Sequence, residues 1–138
     1  MSTVTMTLTP DQARAIAGML EVAVRVHLCQ FGEIEWMARM GILKHQTGRS
    51  LASDEWDMIK YLSGRMSGVF GFSPNASFGI GSPQVYIDAQ RGYEVKKVLD
   101  KALAEWREPN PKGIRGVDYD GLIVRYTPDP VPAVEVKE

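Results

Sequence analysis

Apolar residues recur along most of this chain at helical spacing and alternate with polar residues only near its two ends. The first alternating run, Thr3-Val4-Thr5-Met6-Thr7-Leu8, predicts a strand that shows Val4, Met6 and Leu8 to a core. Thr9-Pro10-Asp11-Gln12 then reads as a helix start: a threonine cap, proline at the first helical position, and Gln12 placed to reach back as in a capping box. Ala13, Ile16, Ala17, Leu20, Val24, Leu28 and Phe31 continue at helical spacing, and Gly32 punctuates the run. A second helix is expected around Ile34 to Met40, followed by a polar break at His45-Gln46-Thr47-Gly48-Arg49. A third helix begins at the cap Ser53, with Trp56, Ile59, Leu62 and Met66 on its inner side.

The stretch from Gly68 to Pro83 is rich in glycine and retains Phe70, Phe72 and Phe78, which predicts a long loop with a purpose. A fourth helix follows over roughly Asp88 to Trp106, with a start as early as Pro83 allowed by the pattern, and Glu108-Pro109-Asn110-Pro111 stops it. Gly116 to Tyr126 alternates around Asp120-Gly121 and predicts a β-hairpin. Residues 127–138 read as a proline-rich extended tail with an edge strand at Ala133 to Val136. The expected fold is therefore α+β: about four helices packed on a small antiparallel sheet formed by the N-terminal strand and the C-terminal hairpin, in one domain over 1–138. A sheet this small leaves exposed edges, which a homodimer or higher homo-oligomer would cover.

Composition narrows the chemistry. The chain has 138 residues, 44% of them hydrophobic, and 16 basic against 17 acidic residues, a net charge of −1. That balance fits a globular domain and argues against a partner such as long nucleic acid. No apolar run approaches the roughly 20 residues of a membrane span, and Met1-Ser2-Thr3-Val4-Thr5 lacks the regions of a signal peptide, so a cytoplasmic protein is expected. The single Cys29 lies in an apolar helical pattern, where a buried thiol in a reducing compartment is expected.

No nucleophile, phosphate-loop or dinucleotide signature stands in the sequence, so no catalytic residue and no cofactor is assigned. Asp118 and Asp120, with Glu108 and Asp129 near in sequence, admit a divalent ion, although aspartates flanking a turn more often serve as turn formers. Binding chemistry has more to work with. An anionic small molecule bearing a nucleobase needs donors for phosphate, a plate for the base and short polar groups for hydroxyls. Arg91, Lys97 and Arg125 supply cations, Phe78 and Tyr93 supply plates, and Asn75, Ser77, Asp118 and Asp120 supply polar groups. Each has a plainer role open to it: Phe78 can plug the core beneath its loop, lysines 96 and 97 can be a solvated helix face, and Arg125 can pair with an acid.

The succession Gln30-Phe31-Gly32-Glu33, Asn75-Ala76-Ser77-Phe78-Gly79-Ile80, Gly92-Tyr93-Glu94-Val95-Lys96-Lys97-Val98-Leu99, Ala104-Glu105-Trp106 and Val117-Asp118-Tyr119-Asp120-Gly121 resembles a group of small bacteriophage proteins, the Thoeris anti-defence sponges. The likeness runs from about Thr7 to Arg125 as an order of elements. It implies a homodimer or larger assembly in the host cytoplasm that sequesters a cyclic nucleotide immune signal, a cyclic ADP-ribose isomer or cyclic oligonucleotide, without cleaving it. The other readings of the same residues are a small phage accessory or inhibitor protein that binds a host protein through Phe70, Phe72, Phe78 and the tail, and a metal-dependent nucleotide-processing enzyme using Asp118 and Asp120.

Overall fold

The computed structural model describes residues 2–73, 76 and 78–137. Among them the regular elements are α1 (Pro10–His27), α2 (Gly32–Arg39), α3 (Ser53–Val69) and α4 (Ile87–Arg107), with a short 3-10 turn at Val117–Asp120. No strand forms among the described residues, so the architecture is all-helical and the expected α+β sheet is absent. The chain divides into two compact units: one holds the segments up to Val24 and from Tyr86 onward, the other Arg25–Val85.

In the first unit α1 starts where its sequence says it should. Thr9 N–H donates to Gln12 Oε1 at 2.9 Å and Gln12 N–H donates to Thr9 Oγ1 at 3.2 Å, a reciprocal capping box. Ala13 and Ala17 of α1 are buried with Leu99 of α4, and Leu8, Ile16 and Leu103 pack around them. Further along α1, Leu20 and Val24 lie beside Gly92, near the start of α4. The two helices therefore run side by side in opposite senses. Small alanines meet Leu99 at the contact, and the apolar side chains at the margins close the core.

The N-terminal alternation yields extended chain without a ladder. Val4 is 94% exposed and Met6 68%, while Leu8 alone reaches the core. Val4–Leu8 and Ala133–Lys137 both line a groove of about 540 Å³ floored by Leu99, Leu103 and Trp106. Alternation signals which side of a strand is buried, but a strand exists only when a second one accepts its hydrogen bonds.

The C-terminal hairpin is replaced by a different device. Val117–Asp120 winds into the 3-10 turn, with Tyr119 N–H donating to Gly116 O at 3.1 Å and the buried Tyr119 donating from its hydroxyl to Glu108 O at 2.9 Å. Gly121 then takes φ 65° and ψ −150°, a conformation open to glycine and not the one that the second central residue of an Asp-Gly hairpin turn adopts. A Cβ here would also stand 2.8 Å from Lys101 Cδ. The chain beyond Gly121 lies along α4 and is clamped by Glu94, a carboxylate only 2% exposed. Glu94 Oε1 accepts from Tyr126 N–H at 2.6 Å and from Thr127 N–H at 2.9 Å, while Oε2 accepts from Thr127 Oγ1 at 2.8 Å. Backbone donors that a hairpin would spend on a neighbouring strand are spent on a side chain of α4 instead.

The second unit is built from helix ends. α1, α2 and α3 each finish in a Schellman motif. Gln30 N–H reaches Arg25 O and Cys29 N–H reaches Val26 O; Ile42 N–H reaches Met37 O and Gly41 N–H reaches Ala38 O; Phe72 N–H reaches Ser67 O and Gly71 N–H reaches Gly68 O, all at 2.9 to 3.0 Å. The residue that must be left-handed is Gly41 at φ 70°, Gly71 at φ 78°, and Cys29 at φ 57°. Cys29 thus sits beyond the end of α1, half-buried, rather than within a helical run as expected. Gly32, read as punctuation, is the first residue of α2. Ser53 is the first helical residue of α3 rather than its cap; Ala52 holds the cap position, and its N–H donates to the Glu55 carboxylate at 2.8 Å. The same carboxylate takes two bonds from Arg49, at 2.9 and 2.7 Å, and this pairing with the Ala52 bond holds the Glu55 pKa at about 2.

Phe31 and Phe70 stack with ring centroids 6.0 Å apart, Phe72 and Phe78 meet edge to face at 4.9 Å, and Phe78 N–H donates to Leu28 O at 3.0 Å. The aromatic loop is therefore pinned to the end of α1.

Two stability tests follow from these features. Cys29→Gly relieves a left-handed backbone and raises stability by about 0.5–1 kcal/mol, whereas Gly71→Ala lowers it by about 1 kcal/mol, both read from urea unfolding midpoints. For Glu94, burial alone would raise its pKa, but the donors of Tyr126 and Thr127 and the charge of Arg125 outweigh it and hold the carboxyl below its usual value. Its stabilisation is thus complete above the ordinary glutamate range and is lost as pH falls through the lowered native value. Glu94→Gln costs about 2 kcal/mol at pH 7, and the gap from the unchanged protein narrows as both are unfolded at progressively lower pH.

Candidate functional site

The residues expected to hold a ligand fall in two places, and most of them serve the fold. Asn75 and Ser77 lie outside the described residues. Phe78 belongs to the second unit and is half-buried against Phe72. Arg91, Tyr93, Lys97, Asp118, Asp120 and Arg125 all belong to the first unit, along the seam where the C-terminal segment covers α4.

On that seam the charges pair with one another. Arg91 Nε donates to Asp129 Oδ2 at 2.7 Å and its Nη1 donates to Asp88 Oδ1 at 2.9 Å, which raises the arginine pKa and lowers that of Asp129. Arg125 donates to Asp129 O, so guanidinium groups from α4 and from the C-terminal segment converge on one aspartate. Tyr93 meets Tyr126 edge to face at 5.8 Å. Lys97 Nζ donates to Val117 O at 3.4 Å. These contacts fasten residues 117–129 to α4. The side chains that read from sequence as phosphate donors and stacking plates are already occupied as fasteners, with Asp118 and Asp120 left exposed on the 3-10 turn.

Asp118 leads to the site that sequence reasoning did not assemble. It lines a cleft of about 320 Å³ between α1 and α4, together with Arg14, Glu21, Lys96, Trp106 and Arg107. Ligand sites of this size occur at the lower end of the usual range, about 300–1,000 Å³. Lys96 sits low in the cleft, its side chain 16% exposed, bonded to the Asp100 carboxylate and to Glu21 Oε2 at 3.1 Å. Burial would depress its pKa, but the bonds from Asp100 and Glu21 prevail and raise it. Arg14 is an exposed cation at the cleft, 3.4 Å from the still more exposed Asp11. Trp106 is 44% exposed and offers an aromatic face.

The arrangement places cations from both helices at one opening beside an indole, with Glu21 and Asp118 as acceptors. It can receive an anionic group at Arg14 and Arg107, a planar ring at Trp106 and hydroxyls at the carboxylates. The signal for it was present in fragments. Lys96 and Asp100 stand four apart on α4, the spacing of a helix ion pair. Glu21 and Arg14 lie seven apart on α1, hence on one face. What joins α1 to α4 here is tertiary packing.

Comparison with protein-family models, with curated proteins and with solved structures finds no match. No group of three or more histidine, cysteine, aspartate or glutamate side chains suited to a metal ion occurs among the described residues, and Asp129, one of the acids near Asp118 in sequence, is held by Arg91. No helix there is long and apolar enough to cross a membrane.

Lys96→Met leaves Glu21 and Asp100 without their shared cation and destabilises the protein by about 1–3 kcal/mol at pH 7. Arg14→Met at the exposed rim changes stability by less than about 0.5 kcal/mol. Because the native Lys96 pKa is raised, its contribution is complete below the ordinary lysine value near 10.4 and is lost as pH rises through the native one. The gap between Lys96→Met and the unchanged protein therefore closes in urea titrations carried out at rising alkaline pH.

Proposed function

We propose that this chain binds an anionic, base-bearing small molecule of the cyclic nucleotide class and holds it intact, as a phage anti-defence protein acting in the host cytoplasm. The observation that carries the reading is the cleft between α1 and α4, where Arg14, Arg107 and Trp106 meet at an opening with carboxylate acceptors beside them. The resemblance in element order to the Thoeris anti-defence sponges supplies the ligand class. Within this reading the ligand-contacting residues are those of the cleft, with Asp118 common to the sequence expectation and the site, while Arg91, Tyr93, Lys97 and Arg125 act by holding the C-terminal segment in place.

Sequestration works by mass action. A protein present above the concentration of a signal and binding it tightly lowers the free signal, and turnover adds nothing that this requires. Bound ligand also stabilises the fold, by about 2.7 kcal/mol at one hundred times Kd.

The test is to incubate the purified protein with cyclic ADP-ribose isomers and cyclic di- and trinucleotides, remove free ligand by filtration, heat-denature the protein and identify what is released. An unchanged ligand recovered after denaturation is the expected result, with retention reduced at least about tenfold in Arg14→Ala/Arg107→Ala through the loss of charge-assisted bonds. A chemically altered nucleotide would assign an enzyme instead, and an empty eluate would set this reading aside. A second reading, an accessory protein that binds a host protein, is supported by the apolar side chains Trp36, Met40, Ile42 and Leu43, which are 44–62% exposed. Its expected aromatic trio is divided: Phe70 is 60% exposed, but Phe72 and Phe78 pack on each other.

A further inference from the structure

The N- and C-terminal segments both present bare backbone to the groove over α1 and α4. Val4–Leu8 and Ala133–Lys137 line it residue by residue, without a gap, above a floor that includes Ala13, Leu99, Leu103 and Trp106. In extended chain successive side chains point to opposite faces, so a segment that offered only a side-chain face would contribute every second residue. Consecutive residues mean that the backbone itself runs along the groove, for roughly 15 Å on each segment. Among the described residues no N–H or C=O of either segment takes part in a backbone–backbone hydrogen bond. The apolar side chains on these segments are uncovered as well: Val4 and Met6 are 94% and 68% exposed, Val134 and Val136 39% and 43%.

These features select an occupant. An acyl chain would cover the apolar floor but strip water from the backbone amides and return no hydrogen bond, which offsets the gain. An extended peptide covers the same floor and supplies N–H and C=O groups at the strand repeat, the way a chain adds to an exposed edge. Charge narrows the class further. Among the described residues that line the groove only Glu135 and Lys137 are charged, and they pair with each other at 3.3 Å. The groove thus carries no net charge and matches an uncharged apolar segment; a charged residue in the middle of the occupant would lie beside hydrocarbon without a counter-ion. Thr9 N–H is already bonded to Gln12 and Pro132 has no N–H, so neither edge extends further into the chain. An occupant of about five or six residues, an ordinary strand, fills the site.

We propose that this groove is a strand-addition site: it receives an uncharged, alternating apolar segment of a partner protein in extended form, held by main-chain hydrogen bonds to Val4–Leu8 and Ala133–Lys137. The neighbour whose absence leaves both segments without a ladder comes from that partner. Leu103 and Trp106 also line the cleft, but the groove and its occupant stand whether or not the cleft holds a nucleotide.

The probe is a fluorescent, end-blocked peptide of about six alternating valine and threonine residues, titrated with the full chain and followed by anisotropy. Saturable binding is expected, weakened about tenfold or more when alternate amides of the peptide are N-methylated. Proline substitutions in the chain give a second readout. The amides of Thr5, Met6, Ala133 and Val134 have no backbone partner, so proline at each is expected to leave the helical circular dichroism unchanged. N–H groups of a strand alternate in direction. Of Thr5→Pro and Met6→Pro, and again of Ala133→Pro and Val134→Pro, one therefore weakens binding about tenfold relative to alanine at the same position and its neighbour does not. No saturable binding, binding that survives N-methylation, or equal sensitivity to both prolines of each pair overturns the proposal. A fluorescent fatty acid held more tightly than the peptide, or a dimer of the chain that the peptide dissociates, assigns a different occupant and overturns it as well.

Discussion

A buried carboxylate bonded to backbone organises the first unit. Glu94 is 2% exposed and would be intolerable in that position without donors, because an unpaired buried charge costs several kcal/mol. Its donors come from Tyr126 and Thr127, more than thirty residues further along, so the carboxylate is tolerated only when the C-terminal segment is in place. The dependence is mutual. Residues 122–127 have no strand beside them among the described residues, and without Glu94 the N–H groups of Tyr126 and Thr127 would lose the partner that fixes this segment on α4. The 3-10 turn, held by Lys97 and by the carbonyl of Glu108, and the Arg91–Asp129 pair fasten the same segment on either side of this clamp.

That clamp also decides what the polar residues are for. Arg91, Arg125, Tyr93 and Lys97 look like ligand groups in a list of residue types, and each is used to hold the covering segment. The cleft on the other side of α4 inherits the binding chemistry because its cations stand at an opening. Within it Lys96 is neutralised by Glu21 and Asp100, leaving Arg14 and Arg107 nearer the solvent as groups that can meet an incoming anion. A buried, compensated cation shapes a cleft; an exposed one can exchange water for ligand.

The second unit reaches order by another route. Three helix ends close with the same hydrogen-bond pattern, and the loop aromatics pack against each other and the end of α1. Its interior is modest: Leu28, Phe31, Met37, Ala38 and Val85 are buried, while much of its apolar surface faces outward on α2 and α3. Local backbone bonding does a large share of the shaping here.

The legible part of this chain was the part written in local code. Thr9 and Gln12 announced the start of α1, the 3.6-residue period announced four helices to within a few residues, and the proline pair after Glu108 announced the end of α4, because capping and periodicity act between residues three or four apart. The sheet was misread for the complementary reason. Alternation in Thr3–Leu8 and around Asp120-Gly121 describes a chain with two different sides, and whether such a chain becomes a strand depends on a neighbour that no local pattern names. The tertiary structure supplied Glu94 as the partner for Tyr126 and Thr127, and left Val4 and Met6 in solvent. In the same way Asp118 was recognisable as polar and exposed, but its companions Arg14, Glu21, Lys96 and Arg107 come from two helices some eighty residues apart in sequence. Only the antiparallel packing of α1 on α4 puts them around one opening.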